Sequence, residues 1–173
     1  LTKKGVLATE VNEGDCLLMP ELYLWMSESS ESMSAEEILA TLSLFIEDTV
    51  QYDATETPIK PAAIQFLEDK LAYLCDRADV FGVSVSSSLN YAMAAVLRDW
   101  MAGAPVADIT GKYAMYEGNL TRTILKMTNL LEEWRNMATY CSDVDMLRRL
   151  EGVEKTLLLR EVVLPDSLYV RMR

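Results

Sequence analysis

Histidine is absent from this chain of 173 residues. That removes the Ser-His-Asp and Cys-His arrangements, which need an imidazole as general base. Cysteine is scarce: Cys16, Cys75 and Cys141 stand far apart and form no C-x-x-C pair. Their odd number argues against a disulfide framework, and without histidine a zinc site has little to build on. A reducing compartment is the simplest reading. No apolar run approaches the roughly 18 residues needed to cross a bilayer; stretches such as "YAMAAVL" are too short. The opening "LTKKGVLATE" has no signal-peptide pattern, so "NLT" at 119–121 is not read as a glycosylation site. Nor does the chain begin with Met, which suggests excision from something longer. Positive charge is in deficit, with 16 Lys and Arg against 27 Asp and Glu and a net charge of -11. Nucleic-acid binding rests largely on neutralising phosphates. Alone, the chain is expected to be a poor general binder; any contact must be local, with a neighbouring domain supplying most of the attraction.

Catalytic patterns are missing too. "ITGKY" holds Gly111-Lys112 but has neither the upstream glycine nor the following Ser or Thr of a phosphate-binding loop. The carboxylate pairs Glu36/Glu37, Glu47/Asp48 and Glu132/Glu133 fall on predicted helix surfaces, where solvation is their ordinary role. Trp25, Trp100 and Trp134 fall on apolar helical faces and are assigned to the core. The segment by itself is expected to be non-catalytic, with no cofactor and no metal.

What is present is half apolar and 25% charged, the balance of a folded domain. Only "GVLATEV" reads as a possible extended segment. "EGDCLLMPELYLWM" has Leu17, Leu18, Leu22 and Trp25 at helical spacing, with Pro20 early in the helix or bending it. In "MSAEEILATLSLFIED", Ser34 and Glu37 form a capping box, and Ile38, Leu39, Leu42, Phe45 and Ile46 make one apolar face. A polar connector leads to a helix from Pro61 to about Val80. Ser87 or Ser88 is expected to cap the next helix, which ends at Gly103. "APVADITGKYAM" reads as a short helix and turn. The segment "SDVDMLRRLEGVEKTLLLR" gives one more helix, or two around Gly152. No repeat or domain boundary is evident, and the reading is one all-α domain over 1–173.

Between those last segments lies a helix predicted over 120–137. Leu120, Ile124, Met127, Leu131 and Trp134 cluster on one side, while Arg122, Lys126, Asn129 and Glu133 superpose on the other. Such a stripe suits a solvated face. It equally suits a helix beside a nucleic-acid strand, with Arg122 and Lys126 reaching phosphates and Asn129 a base edge. Spacing alone leaves both open. A helix-turn-helix DNA reader over 104–137 is disfavoured because its only basic residues are Lys112, Arg122, Lys126 and Arg135.

The order of four segments resembles the DSHCT domain, the C-terminal helical domain of Ski-type DExH-box RNA helicases. "LTKKGVLATEVNEGDCLLMPEL" is similar to its opening and "MSAEEILATLSLFIED" to its next helix. "LRDWMAGAPVADITGKYAMYEGNLTR" resembles its W-x-x-G-A segment followed by an E-G turn, and "LLLREVVLPDSLYV" its close. The resemblance implies an all-α helical bundle with a long central ratchet helix and a helix-turn-helix-like corner. It implies that this domain sits at the C-terminus of a longer helicase, whose RecA-like motor domains bind ATP and Mg. Single-stranded RNA would run along the ratchet helix, with Arg122 and Lys126 as first contacts and Asn129 and Asp48 as second. Tyr116, Glu117 and Gly118 would form the corner that aims it. It further implies exosome or adaptor partners, no membrane, and RNA processing or decay in the nucleus or nucleolus, or alternatively in the cytoplasm; "YEGNLTR" and "LTKKG" lean toward the nuclear exosome helicase. Departures are "LKMTN" at 125–129, where the family has R-R-L-E-E, Pro165 and Asp166 in place of small residues, and a short connector after Thr49. The competing reading is an acidic helical protein-interaction module that never contacts RNA.

Overall fold

The computed structural model describes residues 2–29, 32–48, 50, 58–82 and 88–160. Among these every regular element is helical. Residues 51–57 of the expected connector after Thr49, the candidate cap Ser87 and residues 161–173, with Pro165 and Asp166, lie outside the described residues.

Helix α1, Lys3–Ala8, replaces the extended segment expected at "GVLATEV". Its apolar residues Val6, Leu7 and Ala8 are consecutive and do not alternate, so no strand face exists to bury. The Thr2 hydroxyl accepts from Gly5 N at 3.1 Å and starts a helix that buries Leu7. Helix α2, Leu18–Glu28, begins where Asp15 Oδ1 accepts from the amides of Leu17 (2.8 Å) and Leu18 (2.9 Å). Pro20 falls in its first turn, where a missing N–H costs nothing. Helix α3, Ala35–Leu42, is capped by Ser34 as its sequence indicates, the hydroxyl accepting from Glu37 N at 3.2 Å. It tightens into a 3-10 turn at Ser43–Phe45.

Helix α4, Pro61–Phe81, opens on proline and stops at Gly82, whose φ of 68° is the left-handed conformation of a helix end. Helix α5, Tyr91–Met101, is capped by Asn90 and not by Ser88. The reason is tertiary. Asn90 Oδ1 accepts from Met93 N at 3.2 Å while its amide donates to the carbonyls of Ile46 (3.1 Å) and Asp48 (2.9 Å). A serine could not bridge these three groups. The helix stops at Met101, slightly short of Gly103.

Helix α6, Val106–Tyr113, is followed by Ala114 at φ 51° and then by α7, Glu117–Tyr140. Helix α8, Val144–Arg149, is capped by Asp143, and a π-type turn at Glu154–Leu158 follows Gly152.

Helix α7 is the central strut: it packs against α2, α3, α6, α8 and the π-type turn, while α3 lies on α5 and α4 lies on α2. The expected apolar face is buried, with Leu120, Ile124, Met127, Leu131 and Trp134 at most 2% exposed. Thr123 and Leu130 widen it. Trp134 meets Tyr23 edge-on at 5.1 Å. Trp100 is fully buried, whereas Trp25 is half-buried and stacks on Phe66.

The α5–α6 joint carries a charged cluster. Asp99 accepts from Lys112 Nζ at 2.8 Å, Tyr113 OH at 2.5 Å and Arg98 Nε at 3.3 Å. Burial pushes Tyr113 up to about 12, helped by its bond to Asp99. For Asp99, burial alone would raise the carboxyl, but the three donors outweigh it and hold it below its ordinary 3.8. A depressed carboxyl contributes stability above its unfolded value and loses it as the pH falls through the folded one. Asp99→Asn is therefore expected to flatten the loss of thermal stability below about pH 4. Circular-dichroism melts from pH 5 to pH 2 check this; parallel curves for the two proteins would refute it.

Candidate nucleic-acid interface

Residues Arg122, Lys126, Asn129 and Glu133 lie within about 60° of one another around α7 at 100° per residue. Their surroundings differ. Arg122 and Asn129 are exposed and Lys126 is half-buried, whereas Glu133 is only 7% exposed. The solvated role expected of the Glu132/Glu133 pair thus holds for Glu132 and fails for Glu133. The loop at 12–14 crosses the stripe there, and its amides converge on the carboxylate. Oε1 accepts from Asn12 N at 2.8 Å and from Glu13 N, while Gly14 N lies 3.4 Å from both oxygens. Burial of a carboxylate is tolerable when several N–H groups satisfy it.

Gly14 suits this crossing because of close approach, not its φ, since a side chain there would have to displace Met19 and Leu130. A Cβ there would come within 1.9 Å of Met19 Sδ and 2.9 Å of Leu130 Cδ2. The crossing leaves a groove on either side. One, of about 370 Å³, is lined by Lys126 and Leu130 of α7, Gly14 and Asp15 of the loop, and Ile46 and Glu47 after α3. Asn129 lines the other, with Asn12, Glu13 and Asn136. Asp48 sits beyond the first groove in a shallower depression that shares Ile46, Glu47 and Ser88 with it. The structure therefore brings Lys126 and Asp48 to adjoining surface, and puts Asn129 across the loop from both.

Among the described residues neither Arg122 nor Lys126 takes part in an ion pair. Both cations are available to an outside anion. The corner before α7 is built differently from the one expected. Tyr116 is the extended N-cap residue and 81% exposed, and Glu117 is in the first turn, where a carboxylate opposes the helix dipole. Gly118 lies inside the helix, and a Cβ there would meet nothing within 4 Å. The left-handed residue of the reversal is Ala114.

The sequence reading overlooked Glu133 as a loop clamp and Glu47 as a groove wall. The turn-forming "NEG" at 12–14 was the available signal for the first.

The family model of the DSHCT (NUC185) domain matches residues 1–165. The chain belongs to the DSHCT family. Its relatives include a DExH-box ATP-dependent RNA helicase of Arabidopsis thaliana, 25% identical over 96% of the chain and 13% of that protein. "mRNA transport homolog 4" of Caenorhabditis elegans is 24% identical over 98% of the chain and 17% of its own length. An uncharacterized helicase of Schizosaccharomyces pombe is 25% identical over 96% and 17%. The chain thus spans 13–17% of the length of these relatives. This DSHCT domain has no helix, among the described residues, long and apolar enough to cross a membrane. Nor, among those residues, do three potential metal ligands converge. Gly111 and Lys112 lie within α6, not in a strand-to-helix loop.

Proposed function

We propose that this DSHCT domain is the C-terminal accessory domain of an ATP-dependent RNA helicase and guides single-stranded RNA through the motor channel. The family match across residues 1–165, with helicases among the relatives, carries the helicase assignment. What supports the guiding role is a pair of cations on α7, Arg122 exposed and Lys126 half-buried, which have no ion partner among the described residues and are backed by a buried face that fixes the helix. In this reading Arg122 and Lys126 hold phosphates, and Asn129 and Asp48 meet the strand's polar edges. RecA-like motor domains hydrolyse ATP with Mg and supply most of the positive field that a chain of net charge -11 lacks. RNA processing or exosome-linked decay, in the nucleus, is the setting we propose.

Replacing Arg122 and Lys126 by Ala in the full-length protein is expected to lower RNA unwinding by roughly 5- to 150-fold, the equivalent of ~1–3 kcal/mol of lost strand contact. The melting temperature should stay put, because Arg122 is exposed and Lys126 half-buried without an ion partner. Unwinding assays with RNA-stimulated ATPase rates decide the matter. Unchanged rate and processivity would falsify the guiding role and favour a protein-interaction module.

A further inference from the structure

The C-terminal half of α4 is exposed in a way that packing within the described chain does not account for. Its buried residues are Ala63 and Leu67, both in the first two turns. Beyond them the helix runs on to Phe81 with Tyr73 58% exposed, Val80 76% and Phe81 68%. Helices of globular proteins owe most of their stability to burying an apolar face. Large side chains exposed together on one element mark an interaction surface.

The position of the charges indicates what would cover this face. At 100° per residue Asp69, Tyr73, Asp76 and Val80 fall within about 60° of one another, so acid and apolar groups alternate along one line. Arg77, next to that line, lays its guanidinium over the Phe81 ring at 5.4 Å. The last turn itself holds no basic residue, and Arg77, just before it, is the one cation of the helix near its negative end. A second copy of the chain would set aspartate against aspartate, and RNA or an anionic membrane would bring phosphates to the same carboxylates. An amphipathic segment with apolar anchors flanked by Lys or Arg satisfies both the rings and the charge, in the helix-against-helix mode of peptide recognition.

We propose that the face of α4 formed by Asp69, Tyr73, Asp76 and Val80, with Phe81 at its flank, docks a basic amphipathic segment of a separate partner protein. This does not depend on the RNA-guiding role, since α4 and the stripe on α7 are different surfaces.

Photo-crosslinking tests it in the full-length protein. p-Benzoylphenylalanine is placed at position 73, or as a control at position 107 on the exposed side of α6, in cells that express the protein. The crosslinked peptides are identified by mass spectrometry. The expected product at position 73 is a peptide of another protein carrying Lys or Arg around apolar residues at helical spacing. Adding Asp69→Lys and Asp76→Lys should lower its yield at least ten-fold, while the circular-dichroism spectrum stays unchanged. Both aspartates are exposed, so folding is not at issue; the crosslinker protein with both aspartates intact in any case decides by itself what is captured. Capture of peptides from this same polypeptide, of RNA, or of nothing beyond the control would overturn the proposal. So would a yield indifferent to the charge reversal.

Discussion

Glu133→Ala is expected to destabilise the domain by about 2–4 kcal/mol, measured by urea denaturation. The side chain gathers the amides of Asn12, Glu13 and Gly14, and its loss leaves all three without the acceptor that holds them against α7. An abandoned donor costs about 1–3 kcal/mol when it stays buried. Asn12 and Glu13 are exposed enough for water to reach them, so the total falls short of three such penalties. Glu133→Gln keeps one acceptor oxygen and should cost about half as much. If Glu133→Ala shifts stability by under ~0.5 kcal/mol, the ordinary range for a surface residue, the carboxylate is not clamping the loop.

A comparable loss, about 3–5 kcal/mol, is expected for Trp100→Ala, in line with large-to-small changes in well-packed cores. The indole is fully buried on α5. Its Nε1 donates to the carbonyl of Leu158 at 3.1 Å, and the Arg160 guanidinium lies 3.5 Å from the ring centroid. Arg160 in turn donates to Ala104 O at 3.0 Å. One side chain therefore joins α5, the turn after it and the end of the π-type turn. Trp100→Phe retains most of the volume and a ring face but loses the donor, and should cost about 1–2 kcal/mol because Leu158 O is left unpaired. If Trp100→Phe melts at the same urea concentration as the unsubstituted protein, the hydrogen bond contributes nothing and volume alone matters.

Periodicity made much of this fold legible. The spacing of Leu120, Ile124, Met127, Leu131 and Trp134 marks the inner face of α7, and Ser34 marks the start of α3. Both signals are local. The features that escaped depend on residues far along the chain. Asn90 caps α5 because the carbonyls of Ile46 and Asp48 reach it from more than forty positions away. Glu133 is removed from the solvated stripe by amides about 120 positions earlier. Helical spacing puts Glu133 in line with Arg122, but only the chain crossing at 12–14 separates them. The segment at α1 escaped for another reason: three consecutive apolar residues carry no period, and a single threonine hydroxyl decides the outcome. In the candidate interface, the sequence was enough to align Arg122, Lys126 and Asn129. It gave no sign that a loop stands between Lys126 and Asn129.

The crossing at residues 12–14 also determines where a mechanical load would go. A strand pulling on Lys126 pulls on a helix that Glu133 ties to the loop. From the loop, Asp15 holds the first amides of α2, and Glu21 on α2 reaches Lys4 of α1 at 2.9 Å and Lys70 of α4 at 3.8 Å. Tension on α7 would thus be shared with three other helices and not borne by one rod, and the two ends of this load path are the stripe of Arg122 and Lys126 and the helix with the exposed aromatic face.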